Sequence, residues 1–471
     1  MKKADEKVDV LVVGSGFAGL AAAIEAAEAG ASVLVVEKNR STGGNSRISD
    51  GGIAACGTKL QRKFGYEDSR ELFFQDVMAS GMGINHPKLV RIMVDHSAEA
   101  FEWSRDVLQV PYMDRIDIFG GHSVHRCYTA EKISGSTIIE KQLEYLKALG
   151  VEVRTATRFE GFLTGPDGMI QGALLAPSGS TSSPASVAAV SEDTCQVQVE
   201  RGIVLAAGGY GADIPFRSAQ DPRLDASIDT TNRASATAEV LRSLLRLGAM
   251  PVQLSSIQLG PWASPDEKGY GHGPMFSEYI VFQYGLIVDP ATGKRFVNEL
   301  ADRKRLSDAI LSRGKPCIGI ADSQAVTSSG WDISTALRKG VVKQYETLHA
   351  LADSYGMDGR VLKETMENFD KAIEAGSDRD FGKPIIREAK PLAHAPFYAI
   401  RLWPKVHHVG GGVGIDGEAR VLDLEGRPVP GLYAAGEICG GIHGANRLGS
   451  CAITECFVFG RIAGRNGAGM M

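Results

Sequence analysis

Val8-Asp-Val-Leu-Val-Val13, followed at once by Gly14-Ser-Gly16-Phe-Ala-Gly19, decides the fold. The valine-rich run has charge before it and glycine after it, which predicts a buried parallel strand. Residues 20–29 are strong helix-forming sequence, with Gly30 where a helix C-terminus favours glycine. Ser32-Val-Leu-Val-Val36 predicts a second strand, and Glu37 stands at its end. Strand, G-x-G-x-x-G, helix, strand and acid make the dinucleotide-binding fingerprint in the context its chemistry requires. Gly14 makes the tight turn, Gly16 lets backbone approach a pyrophosphate at a helix N-terminus, and Gly19 lets helix pack on strand. Glu37 can accept both ribose hydroxyls, and its charge argues against a 2′-phosphate there. The fingerprint leaves open whether the dinucleotide is NAD or FAD.

A chain of 471 residues predicts more than one core. With 44% hydrophobic and 23% charged residues, the composition is that of an ordinary globular enzyme. Lys and Arg total 51 against 56 Asp and Glu, a net charge of −5 without a basic stripe, which argues against a nucleic-acid partner. The N-terminal Met1-Lys-Lys-Ala-Asp-Glu-Lys7 runs into a strand without the apolar core of a signal peptide, and no stretch is long enough to span a bilayer. The expected location is the cytoplasm. Seven scattered cysteines fit reduced thiols. There is no Cys-x-x-Cys-His for haem and no cysteine cluster for iron–sulfur, and no metal site is expected.

Downstream, Arg40-Ser-Thr-Gly-Gly-Asn-Ser-Arg-Ile-Ser-Asp-Gly-Gly52 sets two glycine pairs around a polar segment, a loop suited to wrap a ligand. Residues 69–107 carry helical patterns, and Phe119-Gly-Gly-His-Ser-Val-His-Arg126 is a second glycine loop. A helix over 136–149 ends at Gly150, and 151–154 predicts a strand returning to the sheet. Residues 160–200 predict hairpin strands, with a turn at 165–168 and a mobile low-complexity loop at 177–184. Arg201-Gly-Ile-Val-Leu-Ala-Ala-Gly-Gly209 is another apolar strand running into glycines. Beyond about residue 252 the strand–helix rhythm stops. Residues 294–311 are highly charged, and helical patterns cover 336–351 and 358–375. Sheet-like sequence returns at Val406, and 450–464 predicts a final helix. The reading is an α/β nucleotide-binding domain in two parts, residues 1–252 and 401–471, around an inserted domain of residues 253–400.

The fingerprint, Gly43-Gly-Asn45 with Gly51-Gly52, Gly293-Lys-Arg-Phe-Val-Asn-Glu299, His407-His408, and Gly436-Glu437 with Gly441-Ile-His-Gly-Ala-Asn-Arg-Leu-Gly449 resemble the soluble fumarate reductase flavoproteins. That family includes the flavocytochrome c fumarate reductases, urocanate reductase and the flavoprotein subunit of succinate dehydrogenase. The resemblance runs over nearly the whole chain. It implies an FAD-binding Rossmann-like domain with an inserted α+β capping domain, mobile over the flavin, and reduction of a C=C bond conjugated to a carboxylate. The cofactor positions it implies are Gly14, Gly16, Ala18, Gly19, Glu37, Lys38, Asn45, Ser46, Gly51, Gly52, Ala207, Gly208, Gly436, Glu437, Ala452 and Ile453. It implies that His408 and Arg447 grip a substrate carboxylate. It also implies that Arg303, in Asn298-Glu-Leu-Ala-Asp-Arg303, donates a proton.

Those residue types suit the reaction. Hydride passes from flavin N5 to the β carbon, and negative charge then builds on the α carbon and spreads into the carboxylate. Fixed cations at that carboxylate stabilise the charge as it develops. Arg447 can hold two oxygens in a planar fork. A guanidinium keeps its proton to about pH 12, so Arg303 yields one only to a strongly basic carbanion and must regain it promptly. Ser450 begins a helix whose dipole would favour an anionic reduced flavin.

The sequence also departs from the family. In the fumarate enzymes a histidine precedes the proline of the segment matching Gln258-Leu-Gly260-Pro-Trp262 and binds the second carboxylate; here that position is Gly260. Glu278 matches the family's relay glutamate, but Phe282 and Gln283 stand where its arginine is expected. The expected substrate is therefore a urocanate- or arylacrylate-like unsaturated carboxylate rather than fumarate, with His122, Trp262 and Glu278 as candidate pocket residues. No histidine adjoins Ser41-Thr42, near which succinate dehydrogenase subunits link their flavin, so FAD is expected to be noncovalent. Without a haem or FMN module, the chain is expected to need a separate electron donor. Two other readings are a flavin dehydrogenase of the ketosteroid dehydrogenase type, which needs no carboxylate clamp, and the flavoprotein electron-transfer subunit of a larger complex.

Overall fold

The computed structural model describes residues 5–166, 168–178 and 194–469. The expected turn at 165–168 and loop at 177–184 fall partly outside the described residues. The chain divides into two compact units. One comprises Met1–Arg223, Arg233–Ile257 and His408–Met471; the other comprises Leu224–Asn232 and Gln258–His407. The architecture is an α/β nucleotide-binding fold carrying an α+β insert.

The first unit is built on strands β1 (Glu6–Val13), β2 (Val33–Val36), β3 (Glu152–Arg154), β4 (Thr157–Thr164), β5 (Ile170–Pro177), β6 (Cys195–Leu205), β7 (Arg420–Leu422) and β8 (Pro428–Ala434). Their order is β7-β8-β6-β1-β2-β3. β1 runs parallel to β2, with Val10 opposite Val33, and parallel to β6, with Leu11 opposite Ile203. β3 and β8 extend the parallel run on either side. β7 closes one edge antiparallel to β8, and the β4–β5 hairpin joins the start of β6. Val10, Leu11 and Val12 are fully buried, as a strand covered on both faces requires.

Helix α1 (Phe17–Glu28) begins directly after Gly16. Gly14 adopts φ +107°, and a Cβ there would stand 2.3 Å from Ala206 O. A Cβ at Gly19 would stand 2.0 Å from Gly14 O, so only glycine lets the helix lie on the turn. The final helix, α2 (Cys451–Gly467), meets α1 backbone to backbone. Cβ atoms at Gly460 and Gly464 would come within 2.5 Å of Ala18 O and 2.2 Å of Ala22 O. A four-residue spacing puts both glycines on one helix face.

The second unit holds an antiparallel sheet in the order Lys294–Arg295, Leu286–Asp289, Cys317–Asp322, Phe397–Leu402, Val342–Tyr345. The helix expected at 358–375 forms as Gly359–Glu374, with the Asp358 side chain capping it. The single helix expected over 336–351 does not form. The segment makes a short helix Ser334–Arg338, the strand Val342–Tyr345 and a helix Leu348–Ser354. Gly340, at φ +72°, ends the first helix. The β-branched pair Val341-Val342 favours extended chain, and Phe397–Leu402 supplies the ladder. The charged run at 294–311 is partly internal. Arg295 and Glu299 pair at 2.8 Å out of solvent, joined by Asp378 at 2.9 Å and Lys383 at 3.6 Å. Burial pushes the Lys383 ammonium down to about 8, against the pull of Glu299.

Candidate active site

In the first unit Glu37 directly follows β2 and is buried. Ser15 Oγ donates to its Oε2 at 2.6 Å, and Asn39 N and Nδ2 donate to its Oε1 at 2.8 and 2.7 Å. Ser15 Oγ in turn accepts from Gly43 N at 2.9 Å. Ser15 and Asn39 thus aim the acid. Sequence reasoning did not single them out, although Ser15 lies inside the fingerprint and Asn39 two residues beyond the acid. Ser46 Oγ accepts from Phe17 N at 3.2 Å, and Asn45 Oδ1 accepts from Arg233 N at 2.8 Å. Within the loop expected over 40–52 the chain forms a short helix, Gly44–Ile48, which Ser46 ties to the first turn of α1.

Of the other positions expected to hold a cofactor, Gly14, Ala207, Gly208 and Gly436 follow the C-terminal ends of β1, β6 and β8. Ala207 Cα lies 3.2 Å from a Cβ built on Gly14, and a Cβ on Gly436 would lie 3.0 Å from Ala18 Cβ. A Cβ on Gly51 would lie 3.1 Å from Ala130 Cβ, and one on Gly52 2.9 Å from Ser450 Oγ. Ala452 and Ile453 follow in the first turn of α2. Side chains at Gly44 or Gly208 would meet nothing within 4 Å, so the protein leaves room beside both. Lys38 turns elsewhere: its Nζ bonds Thr237 Oγ1 and Glu239 Oε2, each at 2.9 Å.

His408 and Arg447, also in the first unit, are each 6% exposed. His408 Nδ1 lies 3.3 Å from Glu437 Oε1, which accepts from Val409 N at 2.9 Å. Arg447 Nη1 donates to Leu448 O at 3.1 Å. Burial pushes the Glu437 carboxyl up to about 7, while Arg447 pulls it down. Behind His408 lies the buried pair His443–Glu455, 2.7 Å apart, with the two imidazole rings 5.5 Å between centroids.

The Arg447 loop is also held through His122, whose Nε2 donates to Gly449 O at 2.9 Å. Its Nδ1 faces Arg126 Nη1 at 3.3 Å. Burial, then the Arg126 charge, pushes this imidazole down to about 4. Arg126 is fully buried, bonded to Asp68 at 2.8 and 2.9 Å and to Asp76. Burial opposes its charge, but the two carboxylates hold the proton more firmly than usual. His122 therefore spends both ring nitrogens on the protein that braces the loop.

In the second unit Arg303 opens the helix Arg303–Leu311, where Asp302 Oδ1 accepts from Lys304 N and Arg305 N at 3.1 Å. Arg303 Nη2 donates to Glu278 Oε1 at 2.7 Å. Glu278 stands in a π-type turn, Ser277–Val281, a widened geometry frequent at functional sites. The Arg303 guanidinium carbon lies 5.7 Å from the Trp262 ring centroid. Trp262 meets His407 edge to face at 4.6 Å and Tyr270 at 5.4 Å. The nominated residues therefore form two groups, each within one unit: His408, Glu437 and Arg447 in the first, and Arg303, Glu278 and Trp262 in the second.

A family model described as an FAD binding domain matches residues 9–453. The chain is 39% identical over 472 residues to the acrylate reductase flavoprotein subunit of Shewanella woodyi, covering 98% of this chain and 92% of that one. It is 34% identical over 466 residues to a fumarate reductase (cytochrome) of Shewanella frigidimarina, covering 98% and 77%. The solved structure of the open conformation of a flavocytochrome c3 fumarate reductase matches with a TM-score of 0.77 at 31% identity, over 99% of this chain and 78% of that one. Fold and relatives together define an FAD-dependent oxidoreductase acting on C=C bonds. The chain belongs to the FAD-binding family of the fumarate reductase flavoproteins. Its cradle fits that cofactor: a buried, oriented acid directly follows β2, the α1 N-terminus follows Gly16, and open space adjoins Gly44 and Gly208. Among the described residues, no helix is long and apolar enough to cross a membrane.

Proposed function

We propose that this protein reduces the C=C bond of an α,β-unsaturated monocarboxylate, using noncovalent FAD. The contact that carries the reading is Arg303 on Glu278 at 2.7 Å. The Gly14–Gly19 turn, Glu37, Asn45 and Ser46 and the start of α2 would hold the cofactor, which when reduced supplies hydride from N5 to the substrate β carbon. Arg447 and His408 bind the substrate carboxylate, with Glu437 orienting the imidazole. The buried Arg447 guanidinium, already in place, meets the charge that spreads into that carboxylate, where low dielectric strengthens the interaction. Arg303 protonates the α carbon. Glu278, in direct contact, is the group through which Arg303 recovers its proton, which answers the difficulty of using a guanidinium as an acid.

Gly260 offers no side chain to a second carboxylate, which favours monocarboxylates over fumarate. That class runs from acrylate to urocanate- or arylacrylate-like compounds. Electrons come from a separate donor. A cytoplasmic location is supported by the cysteines, which no disulfide joins among the described residues. The test is anaerobic turnover of the holoprotein with reduced methyl viologen and a panel of acrylate, methacrylate, crotonate, urocanate, cinnamate and fumarate. At least one monocarboxylate should be reduced with kcat/KM ~100-fold or more above that for fumarate. No turnover of any enoate, or a preference for fumarate, would overturn the proposal.

A further inference from the structure

We infer that Trp262 sets the size of the substrate, admitting acrylate and its methyl homologues and excluding a β-aryl group; the inference rests on the enoate reduction proposed above. Trp262 is only 1% exposed, although it is the largest side chain available to any protein. The space beside Arg303, on the side of the indole, is therefore filled by protein. The ring is wedged rather than loosely packed, with the His407 ring set against it at 81° and the Tyr270 ring 5.4 Å away. His407 is itself fixed, with Nδ1 2.9 Å from Thr231 Oγ1.

Two further observations show that this volume is specified. A Cβ added at Gly260 would stand 2.9 Å from both Cη2 and Cζ2 of Trp262, closer than such contacts occur, so the glycine and the indole fit each other. Trp262 Nε1 is buried and finds no hydrogen-bond partner among the described residues. Leaving a buried donor unmet is costly, and a phenyl or aliphatic side chain would avoid that cost. Set between the His407 and Tyr270 rings and against Gly260, the indole presents its bulk beside the Arg303 guanidinium. A substrate presenting its α carbon to Arg303 can carry hydrogen or methyl past the indole, but not another ring.

The experiment compares the unsubstituted holoprotein with Trp262→Ala and Trp262→Phe. FAD content is checked by absorbance, and kcat/KM is measured for acrylate and cinnamate with reduced methyl viologen. The unsubstituted protein should favour acrylate by ~10³-fold or more. The ratio should fall by ~100-fold in Trp262→Ala and ~10-fold in Trp262→Phe, through a gain on cinnamate. If Trp262→Ala does not retain FAD, the smaller change in Trp262→Phe carries the test. Acrylate turnover with the ratio unmoved in the variants, or equal use of acrylate and cinnamate by the unsubstituted protein, would overturn the size role and leave enoate reduction standing. No turnover of any enoate would overturn both.

Discussion

Arg447 donates to a main-chain carbonyl, Leu448 O, at 3.1 Å, and its charge bears on a Glu437 carboxyl that burial holds near 7. Arg303 instead lies directly on a carboxylate, 2.7 Å from Glu278, with an indole ring beside it. A main-chain carbonyl accepts a hydrogen bond but is too weak a base to take the proton, so the contact at Leu448 O offers Arg447 no proton route. A guanidinium seated on a carboxylate has its charge partly answered and a route by which a proton can return. On the proposed reaction the two arginines do different work, and the carboxylate contact that a proton relay needs is found at Arg303.

Substituting each arginine tests that contrast most severely. Arg303→Ala should lower kcat by ~10³–10⁴-fold while FAD stays bound. Arg447→Ala should lower kcat/KM by ~10²–10³-fold with a marked rise in KM, and Arg447→Lys should restore little because the planar fork is lost. Equal splits between kcat and KM in the two variants would dissolve the distinction. Glu278→Gln can keep the hydrogen bond, but an amide cannot take up and pass on the proton that Arg303 has lost, so kcat should fall by ~10²-fold with KM nearly unchanged. An unchanged kcat there would remove the proposed proton return.

The surroundings of the two arginines also differ, and stability can show it. Asp76→Ala leaves buried Arg126 short of a carboxylate beneath the Arg447 loop, and should cost about 3–5 kcal/mol. Calorimetry should register it as a clear drop in Tm. The smallest expected effect is one of pH. Glu437 has its carboxyl raised from 4.5 to about 7, so the stability it contributes is whole below pH 4.5 and is lost as pH rises to 7. Glu437→Gln should remove that slope, making the variant relatively more stable at pH 8 than at pH 5. His122, lowered from 6.5 to about 4, works in the opposite sense, because its contribution is present above pH 6.5 and lost as pH falls to 4. A matched pair of melting curves at several pH values isolates the Glu437 part, and parallel curves would refute it.

The cofactor cradle is legible in sequence because its constraints are local. Gly14, Gly19 and Glu37 are set by turn geometry, helix–strand packing and the end of one strand. The Gly460 and Gly464 spacing that seats α2 on α1 was equally available as a signal. Long-range partners were not. Nothing near Asp68 or Asp76 marks them as counterions of Arg126, and nothing beside Lys38 points to Thr237 and Glu239. His122 in a glycine loop reads like a pocket residue, yet its nitrogens meet Gly449 and Arg126. The run at 294–311 reads only as highly charged, and Arg295 and Glu299 go inside because Asp378 and Lys383 arrive from more distant sequence. Charge alone does not reveal whether a counterion will come.

The most direct test of the central claim is a single turnover. Anaerobically photoreduced holoprotein is mixed with acrylate, and the flavin absorbance is followed in the unsubstituted protein and in Arg303→Ala. The account predicts reoxidation of the unsubstituted protein with one propionate formed per FAD, and an Arg303→Ala protein that holds FAD and stays reduced. Reoxidation of the variant at the unsubstituted rate, or no reoxidation of the unsubstituted protein by acrylate or methacrylate, would contradict it.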